Sequence, residues 1–326
     1  MSVRKAFAAA AMFALSAISQ GHAQGASKWP DQPVRMVVPF PAGGPADILA
    51  RVVAERLGAA WGQPVVIENR AGANTAVGAA HVAKMAPDGY TLFVVMDVTM
   101  VLNPLTTKSL PYDPVKDFTT ITLLSKNTSL LTVRAEDGAT SVKDLIARGK
   151  ANPGKLNFGA GIITTRLAAE LFNREAGISA QYVPFQGSPP TVQGLMNKSV
   201  DFIVDGAAPS LPLIQAGKFR ALAKLNNGPT PALPQLRTLA VESGIPALED
   251  VSTWIGLVAP AATPRAIVDK IQKDVAKIYA DPALIERLLQ AGINPVNDTA
   301  DEFARFIASE LVRWGKVVKD IGIELN

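Results

Sequence analysis

Short β-rich runs and stretches with helical apolar spacing alternate along the first third of the chain. Residues 34–39, "VRMVVP", predict a buried strand, and residues 46–57 predict a helix with one apolar face. Residues 65–68 predict the next short strand. A glycine-bearing loop over 69–75 then leads into a helix over 76–85. In "PDGYTLFVVM" a turn precedes a strand over 91–96. Such alternation predicts a parallel, doubly wound α/β sheet.

The pattern returns further on. Helices are predicted over 141–151, 165–176 and 188–197, and strands over 156–158, 182–184 and 201–205. From Pro264 onward the chain reads as helical, over 264–279, 282–291 and 300–320. No 20–50-residue repeat and no low-complexity tract interrupts it. Four strands end in small-residue or polar loops, at 41–47, 71–75, 159–165 and 206–210. The carboxyl ends of strands face the ligand crevice in open α/β sheets. Loops from both halves of the chain therefore predict a cleft between two domains.

The N-terminus changes the compartment. Arg4 and Lys5 precede an apolar run over 6–18, and Gly21, His22 and Ala23 supply small residues at the cleavage positions. This predicts a signal peptide over 1–23, cut after Ala23, and a periplasmic mature chain. An uncleaved anchor is the alternative. The run is too short and too weakly apolar for a spanning helix, and no later segment reaches the ~20 apolar residues a span needs.

Charge and cysteine narrow the classes. The formal charge is +4, and removing Arg4 and Lys5 leaves 4 − 2 = +2. No Lys/Arg run tracks a nucleic-acid backbone, so no nucleic-acid partner is expected. The chain has no cysteine, and its size lets it bury a core without disulfides.

Enzymatic chemistry lacks residues. The mature chain keeps one histidine, His81, within a predicted helix. There is no thiolate, no G-x-S-x-G elbow and no Walker A motif. The segment Gly159-Ala160-Gly161 starts like a dinucleotide fingerprint but lacks its third glycine. Binding fits better. In "VVPFPAGGPADIL" the pair Gly43-Gly44 stands at a strand–helix junction, where backbone can approach a ligand and helix N–H groups are free. With the positive end of the helix dipole, these groups form a site for a carboxylate or phosphate. Asp47 stands at the expected N-cap. The competing reading is a plain strand–helix turn.

The stretch "WPDQPVRMVVPFPAGGPADILAR" resembles the opening of the tripartite tricarboxylate transporter substrate-binding receptors, the Bug or TctC-like family. The resemblance runs in order through "VIENRAGAN", "APDGYTLF", "YDPVKDFTTIT", "VPFQGSPPTVQGLMNKSVDF", "WIGLVAPAATP" and "ADPALIERLLQAGINP". It covers essentially the whole mature chain. It implies a periplasmic binding protein of type II-like, Venus-flytrap fold: two doubly wound α/β domains with two crossovers. By analogy domain 1 is 24–125 plus 224–326, and domain 2 is 126–223.

The resemblance also implies a monomeric receptor, without cofactor, that captures a small mono- or dicarboxylate and delivers it to membrane permease subunits. The same fold could instead present its ligand to a signalling receptor. Two loops would hold the carboxylate. The first is matched by Phe40, Pro41, Ala42, Gly43, Gly44 and Asp47, with Asn74 nearby. The second is matched by Gly161, Ile162, Thr164, Thr165 and Arg166. That second loop, "GAGIITTRL", departs from the family's Ser/Gly-rich run ending in His-Leu, since Ile162 and Ile163 replace small or polar residues and Arg166 stands at the His position. Arg166 either meets a second carboxylate or pairs with Glu170 one helical turn on, and the pairing is the favoured reading. Ile162 and Ile163 either wall the cleft or pack beneath the loop. Asp205 ends a strand at the cleft, suited to a ligand amine or to a loop hydrogen bond.

Overall fold

A computed structural model describes residues 29–249 and 251–321. The signal peptide and its cut after Ala23 lie outside the described residues. The first strand, β1 (Val34–Val38), buries every side chain except Arg35. Helix α1 (Pro45–Trp61) begins at a proline and stops where Gly62 adopts φ 67°. It outruns its predicted end because Ala59 and Ala60, both exposed, extend the helix without needing to be apolar-periodic. There follow β2 (Val65–Asn69), α2 (Ala76–Val82) and β3 (Thr91–Met96). A π-helical turn at Val98–Leu102 and the short α3 (Asn103–Thr106) lead to β4 (Phe118–Asn127) and β5 (Ser129–Arg134).

The middle of the chain forms α4 (Val142–Ala151), β6 (Leu156–Ala160), α5 (Ile163–Ala176) and β7 (Ala180–Pro184). It continues through α6 (Ser188–Met196), β8 (Phe202–Gly206), α7 (Ala207–Gln215) and β9 (Phe219–Lys224). After α8 (Leu239–Ser243) come β10 (Thr253–Pro260), α9 (Arg265–Ile278), α10 (Pro282–Gln290) and α11 (Ala300–Ile321).

These strands make two five-stranded sheets, ordered β2-β1-β3-β10-β4 and β7-β6-β8-β5-β9. Each sheet is mixed, which corrects the expectation of parallel sheets. In the first, β1 runs parallel to β2 and β3, while β10 is antiparallel to β3 and β4. In the second, β6 runs parallel to β7 and β8, while β5 is antiparallel to β8 and β9. The chain crosses between sheets from β4 to β5 and from β9 to β10. A strand arriving from the other sheet needs no helical crossover and can pair antiparallel. C-terminal helix α11 returns to the first sheet: Phe303 lies where a Cβ on Gly256 of β10 would stand, and Thr120 of β4 donates to the Ala300 carbonyl at 2.9 Å.

Each sheet thus carries a lobe, and the lobes meet at the carboxyl ends of β1, β3, β6 and β8. Ile162 and Ile163 of the second lobe pack against the apolar core built on Val34, Met36, Leu49 and Leu257 of the first. The loop of 159–166 is therefore partly a lobe-to-lobe contact. Ile163 packs on the cores of both apolar clusters, while Ile162 also walls the cleft.

Candidate ligand-binding site

The first loop is shaped by two glycines in different ways. Gly43 has φ +86°, a conformation glycine adopts freely, and it turns the chain. Gly44 is extended, with φ −82°, and caps α1. Asp47 is not the N-cap. Pro45 sets the helix start, which leaves Asp47 in the first turn, where its carboxylate reaches backward. Its Oδ2 accepts from the Gly43 N–H at 2.9 Å and from Arg51 Nε at 2.9 Å. Its Oδ1 accepts from Arg51 Nη2 at 3.0 Å and from Asn69 Nδ2 at 2.9 Å. Asn69 Nδ2 also donates to the Phe40 carbonyl at 3.0 Å, tying both ends of the loop to β2. Burial alone would raise the Asp47 carboxyl, but the bonds from Arg51, Gly43 and Asn69 outweigh it and hold it below the ordinary value. The Gly43 N–H is thereby used. The N–H groups of Gly44, Ala46 and Asp47 donate to no backbone carbonyl among the described residues.

The second loop is held by contact across short distances. A Cβ on Gly161 would stand 2.5 Å from the Gly187 carbonyl carbon, and the Gly187 N–H donates to the Gly161 carbonyl at 3.0 Å. Thr164 is fully buried and donates its hydroxyl to the carboxylate of Asp97, just beyond β3 in the other lobe. Thr165 donates to the Ile162 carbonyl at 3.0 Å. Arg166 Nε meets Glu170 Oε1 at 2.7 Å, and its guanidinium lies 4.5 Å over the Tyr182 ring.

Two cavities lie between the lobes. One, of about 40 Å³, is lined by the starts of three helices: Gly44, Pro45 and Ala46 of α1, Gly187, Ser188 and Pro189 of α6, and Gly206, Ala207 and Ala208 of α7. Phe40, Pro41, Met96, Asn127, Ile162, Asp205 and Thr253 also line it. The other, of about 180 Å³, shares Phe40, Pro41, Ile162 and Gly187 and adds Asn74, Thr75 and Gly161. Ala73, Asn74 and Thr75 all have positive φ there, at 45°, 48° and 76°, a left-handed run that non-glycine residues rarely adopt.

The structure thus brings Phe40, Pro41, Gly44, Ile162 and Asp205 around the first cavity, and Asn74 and Gly161 around the second. Ala42, Gly43, Asp47, Thr164, Thr165 and Arg166 line neither. Their side chains or backbone shape the loops, as the bonds above show. His81 also lies outside both cavities. Asp205 Oδ1 accepts from Ser188 Oγ at 2.8 Å, while its Oδ2 is buried without a partner. Burial pushes this carboxyl up to about 7, against the opposing pull of Ser188 and the Gly206 N–H.

Sequence reasoning found the start of α6 without bringing it to the site, and missed Asn127, Met96 and Thr253. "QGSPP" did carry a signal, because a glycine followed by proline in the first helical turn repeats the Gly44-Pro45 junction. The others reach the cavity from β3 or the crossover strands and have no local signature.

A two-lobed α/β molecule with helix N-termini gathered on an interlobe cavity is the architecture of a solute-binding protein. Residues 49–323 match the model of the tripartite tricarboxylate transporter family receptor, and the chain belongs to that family. Protein BugT of Bordetella pertussis is 33% identical over 308 residues, covering 92% of this chain and 93% of BugT. A solved R. palustris protein with adipate has a TM-score of 0.87 and 34% identity, covering 91% of this chain and 99% of its own. MatC from Rhodopseudomonas palustris with bound malate has a TM-score of 0.81 and 30% identity, covering 89% of this chain and 100% of its own.

Proposed function

We propose that this receptor captures a small organic carboxylate in the periplasm and hands it to the membrane permease of a tripartite tricarboxylate-type transporter. The observation that carries this reading is the convergence of three helix starts, from both lobes, on one cavity. The unbonded N–H groups of Gly44 and Ala46 at the start of α1, with the dipoles of all three helices, favour an anion. Because both lobes contribute, the anion is held best when they are closed, so ligand selects the closed form. The adipate and malate bound by structural neighbours have the chemistry such a site would take.

In this reading the chain is not an enzyme. Asp205 is the one titratable side chain lining the smaller cavity, and no His, Lys or Arg lines it. No cofactor is needed, and the receptor acts as a monomer. Among the described residues no helix is long and apolar enough to cross a membrane. We assign domain 1 to 24–125 plus 224–326 and domain 2 to 126–223, with the signal peptide cut after Ala23. N-terminal sequencing of periplasmic material should begin at Gln24, and an intact Met1 form in the membrane fraction would overturn the localisation.

Calorimetric titration of the mature chain with mono- and dicarboxylates, adipate and malate included, tests the capture. One member should bind stoichiometrically and be recovered unchanged. Absence of binding across the set, or turnover of a bound acid, would overturn the proposal. Delivery is tested separately by co-precipitation with the permease, which should be retained in the presence of the bound acid.

A further inference from the structure

A polar bond crosses between the lobes deep inside their interface. The Thr164 hydroxyl, in the first turn of α5, donates to Asp97 Oδ2, just past β3. Both residues are fully buried. Asp97 stands at the partition of the two cavities: Met96 lines the smaller, Val98 the larger, and Ile162 walls both. Opening the lobes separates Thr164 from Asp97 and admits water along that partition.

The surroundings give the Asp97 charge little to hold it. Its Oδ1 is buried without a hydrogen-bond partner. Strand β3, the π-helical turn and α3 carry no titratable side chain. Tyr112 spends its hydroxyl on the Thr99 carbonyl, at 2.6 Å. Helix α11 brings Glu310, a second carboxylate, which accepts from Arg313 and Trp314. On α5, Arg166 is paired with Glu170. Burial therefore pushes the Asp97 carboxyl up to about 7, against the pull of the Thr164 hydroxyl. With the lobes apart the same carboxyl meets water, where its ordinary value is 3.8. Closing the lobes then takes up a proton between pH 3.8 and about 7. The gain in closure is complete below that window, is lost as pH rises through it, and levels off above.

We propose that Asp97 and Thr164 form a proton-dependent latch, which holds the lobes closed in acid and loosens towards neutral pH. The protonated carboxyl keeps its bond with Thr164 and buries no charge. The ionised carboxylate must bury its charge on a single side-chain hydroxyl, so opening relieves it. The receptor would then grip its ligand harder in acidic surroundings and yield it more readily at neutral pH. The latch needs only the two-lobed fold, so it stands or falls apart from the carboxylate reading.

Small-angle scattering on the ligand-free mature chain, from about pH 5 to about pH 8, provides the test. Below pH 7 the closed-to-open ratio should fall by up to about tenfold per pH unit, and the radius of gyration should rise with it. Asp97→Asn keeps an acceptor for Thr164 but does not titrate, and it should stay compact throughout. Thr164→Val removes the donor and should be more open than wild type at neutral pH, whereas Thr164→Ser should restore the wild-type curve. Melts run alongside show which variants are folded, and either Asp97→Asn or the Thr164 pair decides without the other. A wild-type radius that ignores pH overturns the latch. A rise that survives in Asp97→Asn also overturns it, and assigns the proton to Asp205, the other carboxyl raised by burial at the cleft. Thr164→Val tracking wild type does the same for the role of the hydroxyl.

Discussion

The two loops that face each other across the cleft are built on opposite principles. The loop over 40–47 is held from within its own lobe, by one carboxylate that serves Gly43, Arg51 and Asn69. The loop over 159–166 is held partly from its own lobe and partly from the other. Gly161 lies against Gly187 of the same lobe, whereas Ile162 and Ile163 pack on the other lobe's core and Thr164 bonds Asp97 across the gap. A self-contained polar loop keeps its shape whether the lobes open or close. A loop with some of its anchors in the other lobe depends on the lobes meeting. The first loop is a jaw fixed by its own lobe, and the second is a jaw braced in part by the other lobe.

The comparison breaks most readily at the glycines. A methyl at Gly161 would meet Gly187 backbone at 2.5 Å, which cannot rotate away. Gly161→Ala should cost about 3 kcal/mol and abolish tight binding, read by thermal melts and calorimetry. At Gly44 an added Cβ meets only the Pro41 carbonyl, at 3.9 Å, with φ already in the ordinary range. Gly44→Ala should change stability by less than about 0.5 kcal/mol. Equal effects at the two positions would erase the distinction between the jaws.

Next is the link between lobes. Burial pushes the Asp97 carboxyl up to about 7, opposed by the Thr164 hydroxyl and reinforced by Glu310. A raised carboxyl means the folded chain keeps a proton that the unfolded chain has lost between pH 3.8 and about 7. Stability should therefore fall as pH rises across that window and level off above it. Asp205, also raised to about 7, contributes a slope of the same sign. Asp97→Asn removes one of the two, so it should gain on the order of 2 kcal/mol over wild type at pH 8 and nothing at pH 3. Melting curves across pH check this. An unchanged slope would mean Asp97 does not carry it.

How far the sequence disclosed this contrast depends on where the anchors lie. Loop 40–47 was legible because Gly43, Gly44, Pro45 and Asp47 are neighbours whose turn, start and back-bond are local chemistry. Only the cap was misassigned, since Pro45 moved the helix start past the point where Asp47 could serve it. Strands β1 and β3 and helix α1 were legible from their periods. The crossover strands were not. In β10 all eight residues are buried, so no alternation marks it, and Gly256 makes room for Phe303. Ile162 and Ile163 broke the expected polar pattern because their environment comes from the other lobe. Asn127 reached the cavity by the same long-range route.

Asp47 gives a smaller test of the fixed jaw. Asp47→Ala removes the charged acceptor shared by the Gly43 N–H, Arg51 and Asn69, leaving Asn69 only its bond to the Phe40 carbonyl, and should cost about 1.5–3 kcal/mol. Its carboxyl is held below 3.8, so its contribution is present above that pH and lost as pH falls through the lower folded value. Wild type and Asp47→Ala should therefore converge in stability in strong acid. Persistent separation there would point to packing instead of charge.

Arg166 should have little effect on ligand binding, and it decides whether the second loop holds any charge for the ligand. Its side chain is 41% exposed, pairs with Glu170 at 2.7 Å and lies over the Tyr182 ring, and it lines neither cavity. An exposed i,i+4 pair contributes about 0.3–0.5 kcal/mol, and the ring contact about 0.5–1 kcal/mol. Arg166→Ala should thus lower stability by about 1 kcal/mol and leave carboxylate affinity within about twofold, since a cation this far from the cavity exchanges no hydrogen bond with its contents. Raised salt should shrink the stability loss by screening the pair. A tenfold loss of affinity would instead place Arg166 on a second carboxylate and make the outer loop part of the grip.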